Sequence, residues 1–136
     1  MSLDGEQKKF KIKMKLFVDD IRNAPNEDWT VARSVTSAIR AILQFEFDEI
    51  SLDHDISHQV VMGGLSRPYP CEECFCAVAH FISQYWWGRD ETEKPKVIIH
   101  TSNPAGASEM GAILSQAGIK YEIKMMGLAN RLEQEV

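Results

Sequence analysis

The stretch Val97-Ile98-Ile99-His100-Thr101-Ser102-Asn103-Pro104-Ala105-Gly106 carries the pattern that decides the fold. Its first three residues are β-branched, as expected for a strand buried in a parallel sheet. Polar residues follow at 100–103, and Pro104 then stands where a helix tolerates proline, in the first turn. The stretch therefore predicts a strand that passes into a helix, with polar groups at the junction.

Apolar runs followed by polar residues recur along the chain. Met14 to Val18, Ile50 to Leu52 and Tyr121 to Ile123 each read as a strand that ends beside acidic or basic side chains. The order of elements predicts a small three-layer α/β fold with a mostly parallel sheet. The remaining predicted elements are a short strand at Trp29 to Ala32, a helix capped by Ser34 or Thr36, a helix from Cys71 toward Trp87, a helix from Asn103 to Gly118, and a weak C-terminal helix.

Length and charge limit the possible functions. With 136 residues, of which 44% are hydrophobic, the chain fits one globular domain. We predict a disordered lead-in at residues 1–13 and a single domain at 14–136. The net charge of -5 argues against a face for extended duplex nucleic acid, because that mode needs many basic residues to displace counterions. A small phosphorylated ligand or an RNA end remains a suitable partner.

The chain also lacks the marks of membrane insertion or secretion. Its apolar runs fall short of the roughly 20 residues that cross a bilayer, and its polar N-terminus has no apolar segment of the signal-peptide type. Three cysteines, an odd number, cannot complete a disulfide framework, which agrees with a reducing compartment. We therefore expect a cytoplasmic protein without a membrane partner.

Acidic side chains follow two of the predicted strands. Asp19 and Asp20 follow the first, and Asp53 follows the strand at Ile50 to Leu52. Carboxyl ends of parallel strands meet at one edge, the usual ligand site of such sheets. Two like charges about 4 Å apart repel by about 4 kcal/mol at an effective dielectric of 20, so a cation, a proton or Lys124 must offset them. The pattern suits Mg²⁺ or Mn²⁺. The alternative is that these acids are solvated loop residues or helix caps.

Imidazole groups lie beside the same strand ends. His54 stands between Asp53 and Asp55, and His100 precedes Thr101 and Ser102. Two histidines that titrate near neutrality could supply the acid and the base for phosphodiester hydrolysis. In an extended chain Asp53 and Asp55 point away from His54, so one group of this trio faces elsewhere. The alternative for His100 is a buried strand residue that hydrogen-bonds to the backbone.

A cluster of cysteines invites a zinc interpretation. Cys71, Cys74 and Cys76 are followed by His80, but the second half of a four-ligand site is missing from this segment. The segment also carries a helical stripe, and free cysteine is commonly a small buried apolar residue. We therefore expect packed thiols and no zinc.

The strand-end residues resemble those of receiver domains in two-component signalling. In receivers an acidic pair and an aspartate after the third strand bind Mg²⁺, and that aspartate is phosphorylated; a hydroxyl and a lysine contact the phosphoryl group. The matching residues here are Asp19 with Asp20, Asp53, Thr101 and Lys124. The resemblance implies a receiver-like (flavodoxin-like) fold. The first helix must be shortened or absent, because only residues 21–28 separate the first two strands.

Three motifs are more similar to a receiver-derived family described as cyclic-phosphate-processing receiver domains. They span Leu16 to Arg22, Ser51 to Asp55, and His100 to Gly106. The resemblance implies a metal-assisted phosphoesterase that opens a cyclic phosphodiester such as an RNA 2′,3′-cyclic phosphate. Alternatives are a non-enzymatic degenerate receiver in signalling and a phage or mobile-element protein that binds a nucleotide. The implied site consists of catalytic His54, His100 and Asp55, metal-binding Asp19, Asp20 and Asp53, and phosphate-binding Arg22, Thr101, Ser102, Asn103 and Lys124.

Overall fold

A computed structural model of the chain describes residues 14–54 and 74–126. The predicted lead-in, Asp55, Cys71 and the predicted C-terminal helix lie outside these ranges. The strands and helices follow one another in the predicted order. They are β1 (Met14–Val18), β2 (Trp29–Ala32), α1 (Val35–Gln44), β3 (Phe47–Leu52), α2 (Cys76–Tyr85), a 3-10 turn (Glu91–Glu93), β4 (Lys96–Thr101), α3 (Pro104–Gln116) and β5 (Tyr121–Met125).

Several element ends differ from the sequence interpretation. β4 extends through Thr101 and β5 through Met125, so His100, Thr101 and Lys124 are strand residues and not residues of the following loops. Successive side chains of a strand point to opposite faces of the sheet. Because β4 and β5 are longer than predicted, the alternation of the strand determines which face His100, Thr101 and Lys124 occupy and which of them can meet. α1 begins after Ser34, whose hydroxyl accepts the Ser37 N–H while the Ser37 hydroxyl accepts the Ser34 N–H.

The five strands form one parallel sheet in the order β2-β1-β3-β4-β5. Residues 19–28 join β1 to β2 and contain no helix, as the short spacing predicted. Each later crossover moves the same way across the sheet, and right-handed crossovers of that kind place their helices on one face. α1, α2 and α3 accordingly pack side by side. Buried β-strand residues beneath them include Leu16, Val18, Ile50, Leu52, Val97 and Ile99.

The opposite face of the sheet has no helix over it among the described residues. We call it the open face; by strand register it carries Lys15, Phe17, Trp29, Val31, Ser51, Ile98, His100 and Lys124. Val31 is 40% exposed, whereas Ser51 and His100 are 5% and 3% exposed. Ser51 on β3 and His100 on β4 are thus buried polar side chains on a face that has no helix over it among the described residues.

This arrangement is the receiver-like α/β fold that the sequence predicted. A five-stranded parallel sheet with three helices and no first helix corresponds to a flavodoxin-like domain. Within the described ranges, no helix is long and apolar enough to cross a membrane.

Candidate functional site

Two predicted carboxylates and one predicted imidazole meet at the carboxyl edge of the three middle strands. Side-chain ligand atoms of Asp19, Asp53 and His100 all lie within 4.8 Å of one another, and all three residues are buried. They follow or end β1, β3 and β4, which are neighbours in the sheet. Asp20, the third predicted metal ligand, is half-buried and is not a member of this cluster. The cluster could hold a metal ion.

Asp19 is held as an anion by its hydrogen bonds. Its Oδ1 accepts the backbone N–H groups of Ile21 and Arg22 at 3.0 and 2.9 Å, and its Oδ2 accepts from His100 Nε2 at 2.9 Å. Burial raises the pKa of this carboxyl group, but these hydrogen bonds outweigh burial and lower the pKa to about 2. Asp19 is therefore ionised throughout the neutral range.

The positive charge that offsets the two carboxylates belongs to Arg22. Its Nη1 lies 3.2 Å from Asp19 Oδ2 and 3.4 Å from Asp53 Oδ1. Arg33 fixes this loop, because its Nη1 donates to the backbone carbonyls of Asp19 and Arg22 at 3.0 and 2.6 Å. Sequence reasoning assigned Arg22 to phosphate and considered Lys124 as the balancing charge. In the structure the cationic side chain beside both carboxylates is Arg22.

His100 lies between a carboxylate and a hydroxyl. Its Nε2 faces Asp19, its Nδ1 is 2.7 Å from Ser51 Oγ, and its ring stacks on Phe17 with centroids 4.6 Å apart. Burial is the largest influence on the pKa of His100 and lowers it, as do the positive charges of Arg22 and Lys124, whereas Asp19 raises it. The net result is a pKa below the ordinary value, which favours the neutral ring at pH 7. A carboxylate only accepts hydrogen bonds, so Nε2 carries the proton and Nδ1 accepts from Ser51. The partners of this buried ring are thus side chains and not backbone groups.

Ser51 is the functional candidate that sequence reasoning missed. It completes a chain of hydrogen bonds from Ser51 through His100 to Asp19, the arrangement in which a base activates a hydroxyl and an acid orients the base. Its signal was its position two residues before Asp53. That position indicates a contact with His100 only when the pairing register of β3 with β4 is known.

A pocket of about 330 Å³ opens on the open face next to this chain of hydrogen bonds. Lys124 is exposed beside it and pairs in register with His100. The pocket combines aromatic walls, a hydroxyl, an imidazole and an ammonium group. Its lining residues are Phe17, Asn23, Ala24, Pro25, Trp29, Ser51, Ile98, His100, Lys124 and Met126.

His54 belongs to a different cluster from His100. Its ligand atom lies within 4.8 Å of the sulfur atoms of Cys74 and Cys76, and its Nε2 is 3.5 Å from Glu109 Oε1. A hydrogen bond from Cys76, with a further one from His54, lowers the pKa of Cys74 to about 5 although burial opposes the shift. Among the described residues the structure therefore does not join the two predicted acid–base histidines in one cluster.

The two described cysteines are buried and form no disulfide with each other, in agreement with the packing prediction. The expected absence of zinc is a separate matter that this burial does not test. His80, the histidine that made a zinc interpretation possible from the sequence, is exposed on α2, whereas His54 lies beside both thiols.

The residues that lead into α3 have local roles. Thr101 is fully buried and its Oγ1 accepts the Asn103 N–H at 3.1 Å. Asn103 caps α3, with its Oδ1 accepting the Gly106 N–H at 3.0 Å. Ser102 is exposed at the start of the helix. The hydroxyl of Thr101 and the amide of Asn103 thus shape the turn that precedes α3.

The fold and its buried acidic edge define a receiver-like α/β domain. A family model described as the cyclic-phosphate processing receiver domain matches residues 14–116, and the chain belongs to this family. No curated protein matches the chain. The match ends at α3, so β5 and Lys124 lie beyond it.

Proposed function

We propose that this domain opens a cyclic phosphodiester of a nucleotide, such as a 2′,3′-cyclic phosphate at an RNA end, in the pocket on the open face. The observation that carries the proposal is the chain of hydrogen bonds Ser51–His100–Asp19 at the wall of that pocket. Membership of a family associated with cyclic-phosphate processing supports the substrate class.

His100 reaches the pocket through Ser51, because Asp19 occupies its other nitrogen. In the proposed reaction Ser51 Oγ attacks phosphorus while its proton passes to Nδ1. One P–O bond of the ring breaks, and the leaving ribose oxygen takes the proton from the imidazolium. Water then attacks phosphorus with its proton passing to His100 Nδ1, the P–O bond to Ser51 Oγ breaks, and Ser51 Oγ takes the proton back from the imidazolium, which leaves a nucleotide phosphate monoester. Asp19, held as an anion, stabilises the imidazolium between the two proton transfers.

The pocket suits a nucleotide in size and chemistry. Its volume of about 330 Å³ lies at the lower end of the range for small-ligand sites. Trp29, half-buried at the pocket, offers aromatic surface to a base, which stacks on such rings without regard to sequence. Phe17, whose ring is buried against His100, extends the apolar wall. Lys124 provides a positive charge for the phosphate in the transition state. The further phosphate-binding groups in this proposal are the backbone amides near Ser102 and Arg22, the latter once it is released from Asp19 and Asp53.

A divalent cation is the second part of the proposal. The donor chemistry fits, because Asp19 and Asp53 present buried oxygen ligands with His100 beside them. Asp19, Asp53 and, after a side-chain rotation, Asp20 would hold Mg²⁺ or Mn²⁺, which supplies Lewis-acid stabilisation of phosphate charge. The Arg22 guanidinium now lies between two of these carboxylates. Cation and guanidinium therefore compete, and binding of the cation releases Arg22.

Kinetics of matched variants test the proposal. We expect Ser51→Ala and His100→Gln each to lower turnover of 2′,3′-cyclic nucleotides by about 10² to 10⁴-fold, the usual loss for acid–base catalysis. Ser115→Ala and His80→Gln, at exposed helix positions, should leave turnover unchanged. Mass spectrometry of quenched reactions should find an adduct with the mass of the intact cyclic nucleotide on Ser51. Full turnover by folded Ser51→Ala would contradict the nucleophile, and full turnover by folded His100→Gln would contradict the base.

A further inference from the structure

We propose that His54, Cys74 and Cys76 form a zinc site, separate from the oxygen-rich cluster of Asp19 and Asp53. The three residues come from two parts of the chain, the end of β3 and the start of α2. All three are buried. The inference is independent of the proposed phosphodiester chemistry, which uses none of these side chains.

The distances suit a tetrahedral metal. Ligand atoms of the three residues all lie within 4.8 Å of one another. With Zn–S bonds of about 2.3 Å and Zn–N bonds of about 2.0 Å, tetrahedral ligands stand about 3.5 to 3.8 Å apart. Small rotations of the side chains therefore close the site without a change of backbone path.

The backbone already holds the ligands together. The Phe75 N–H donates to the His54 carbonyl at 2.7 Å, which fixes the start of α2 against the end of β3. The Cys76 N–H points at Cys74 Sγ at 3.4 Å, and an amide donor of this kind stabilises a thiolate. This contact is available only because the cysteines are two residues apart at a turn.

The surroundings of His54 are those of a metal-bound imidazole. A histidine that ligates through one nitrogen commonly donates from the other to a carboxylate, which fixes the ring. Glu109 Oε1 stands 3.5 Å from Nε2. Gly106 leaves room for the His54 ring, because a Cβ at position 106 would lie 2.5 Å from ring atoms of His54. The ring thus lies within ion-pair distance of a carboxylate and packs closely against a glycine.

The ligand set selects the metal. Thiolates and imidazole favour Zn²⁺ over Mg²⁺ or Mn²⁺, which prefer oxygen ligands. The three ligands that the described residues supply leave a fourth tetrahedral position, the one that water takes in an open zinc site. The domain would then carry two chemically distinct cation sites, with the neighbouring residues Asp53 and His54 in different clusters.

Elemental analysis of the full chain, purified without chelator and reconstituted with Zn²⁺, tests the site. We expect one equivalent of zinc in the wild type and in His80→Gln, which changes an exposed imidazole of the same helix. We expect at least a tenfold lower content in Cys74→Ser and in His54→Gln. Zinc absent from the wild type, or retained in the Cys74→Ser/Cys76→Ser double variant, would overturn the proposal.

A second measurement avoids the question of whether the variants fold. Co²⁺ added to wild-type protein should give a near-ultraviolet sulfur-to-cobalt charge-transfer band that excess Zn²⁺ removes. A Co²⁺ complex without that band would overturn thiolate ligation even if metal is bound. Because the readouts are metal content and absorption, they are unaffected by whether the protein turns over cyclic phosphates.

Discussion

Asp19→Asn is the substitution that most directly tests the electrostatics of the site. The carboxylate is fully buried and accepts from two backbone amides and from His100, with Arg22 beside it. Asparagine preserves the shape but removes the charge that these donors require. Of its two carboxylate partners Arg22 would then keep only Asp53, in a low-dielectric environment.

The loss of stability expected for Asp19→Asn follows from the pKa of Asp19. Although burial acts in the opposite direction, the hydrogen bonds to Asp19 lower its pKa from 3.8 to about 2. This difference corresponds to about 2 kcal/mol of free energy of unfolding at pH 7. Because the folded-state pKa is depressed, the contribution is complete above about pH 5 and is lost as the pH falls toward 2; roughly half is gone by pH 3. Removing one partner of a buried ion pair raises the expected loss to about 3 to 5 kcal/mol.

Urea denaturation of wild type and variant between pH 3 and pH 7 measures both quantities. We expect Asp19→Asn to be less stable at pH 7, and the difference from wild type to shrink by about 1 kcal/mol at pH 3. Asp48→Asn, at an exposed position of β3, is the matched control and should change little at any pH. A variant as stable as wild type at pH 7, or a difference independent of pH, would refute the assignment of Asp19 as a buried, ion-paired anion.

Three further outcomes are expected. Gly106→Ala puts a Cβ 2.5 Å from the His54 ring and should lower the free energy of unfolding by about 1 to 3 kcal/mol. Gly111→Ala should cost less, because its new Cβ meets Tyr121 on the edge strand β5, and equal losses would contradict this. Ser34→Ala removes the cap of α1 and should cost about 1 kcal/mol in the same assay, and no loss would contradict the capping box. Mn²⁺ should raise the melting temperature of Arg22→Gln more than that of wild type, since the competing cation is gone; a smaller shift would argue against a shared site.

The convergence of Asp19, Asp53 and His100 could be predicted from the sequence. All three stand at or just after the ends of apolar runs, and parallel strands bring such ends to one edge whatever their order. The absence of a first helix was also predictable, because residues 19–28 are too few to hold one and return. These features depend on spacing along the chain, which a single sequence displays directly.

The roles of Ser51, Arg22 and His54 depend on contacts between distant parts of the chain. Ser51 meets His100 through the pairing of β3 with β4, and the sequence fixes neither that pairing nor its register. The family motif predicts Arg22 as a phosphate ligand but does not show that its guanidinium lies beside the carboxylates of Asp19 and Asp53. His54 and Cys74 are twenty residues apart and meet because the chain returns to the end of β3.

The central claim is that this domain opens cyclic phosphodiesters through His100. Phosphorus NMR of 2′,3′-cyclic nucleotides incubated with wild type and with folded His100→Gln tests it most directly. We expect the cyclic phosphate signal to convert to that of a phosphate monoester with wild type, and about 10² to 10⁴-fold more slowly with the variant. No conversion by wild type with or without Mg²⁺ or Mn²⁺, while Asp53 accepts phosphate from acetyl phosphate, would contradict the claim and favour a signalling receiver.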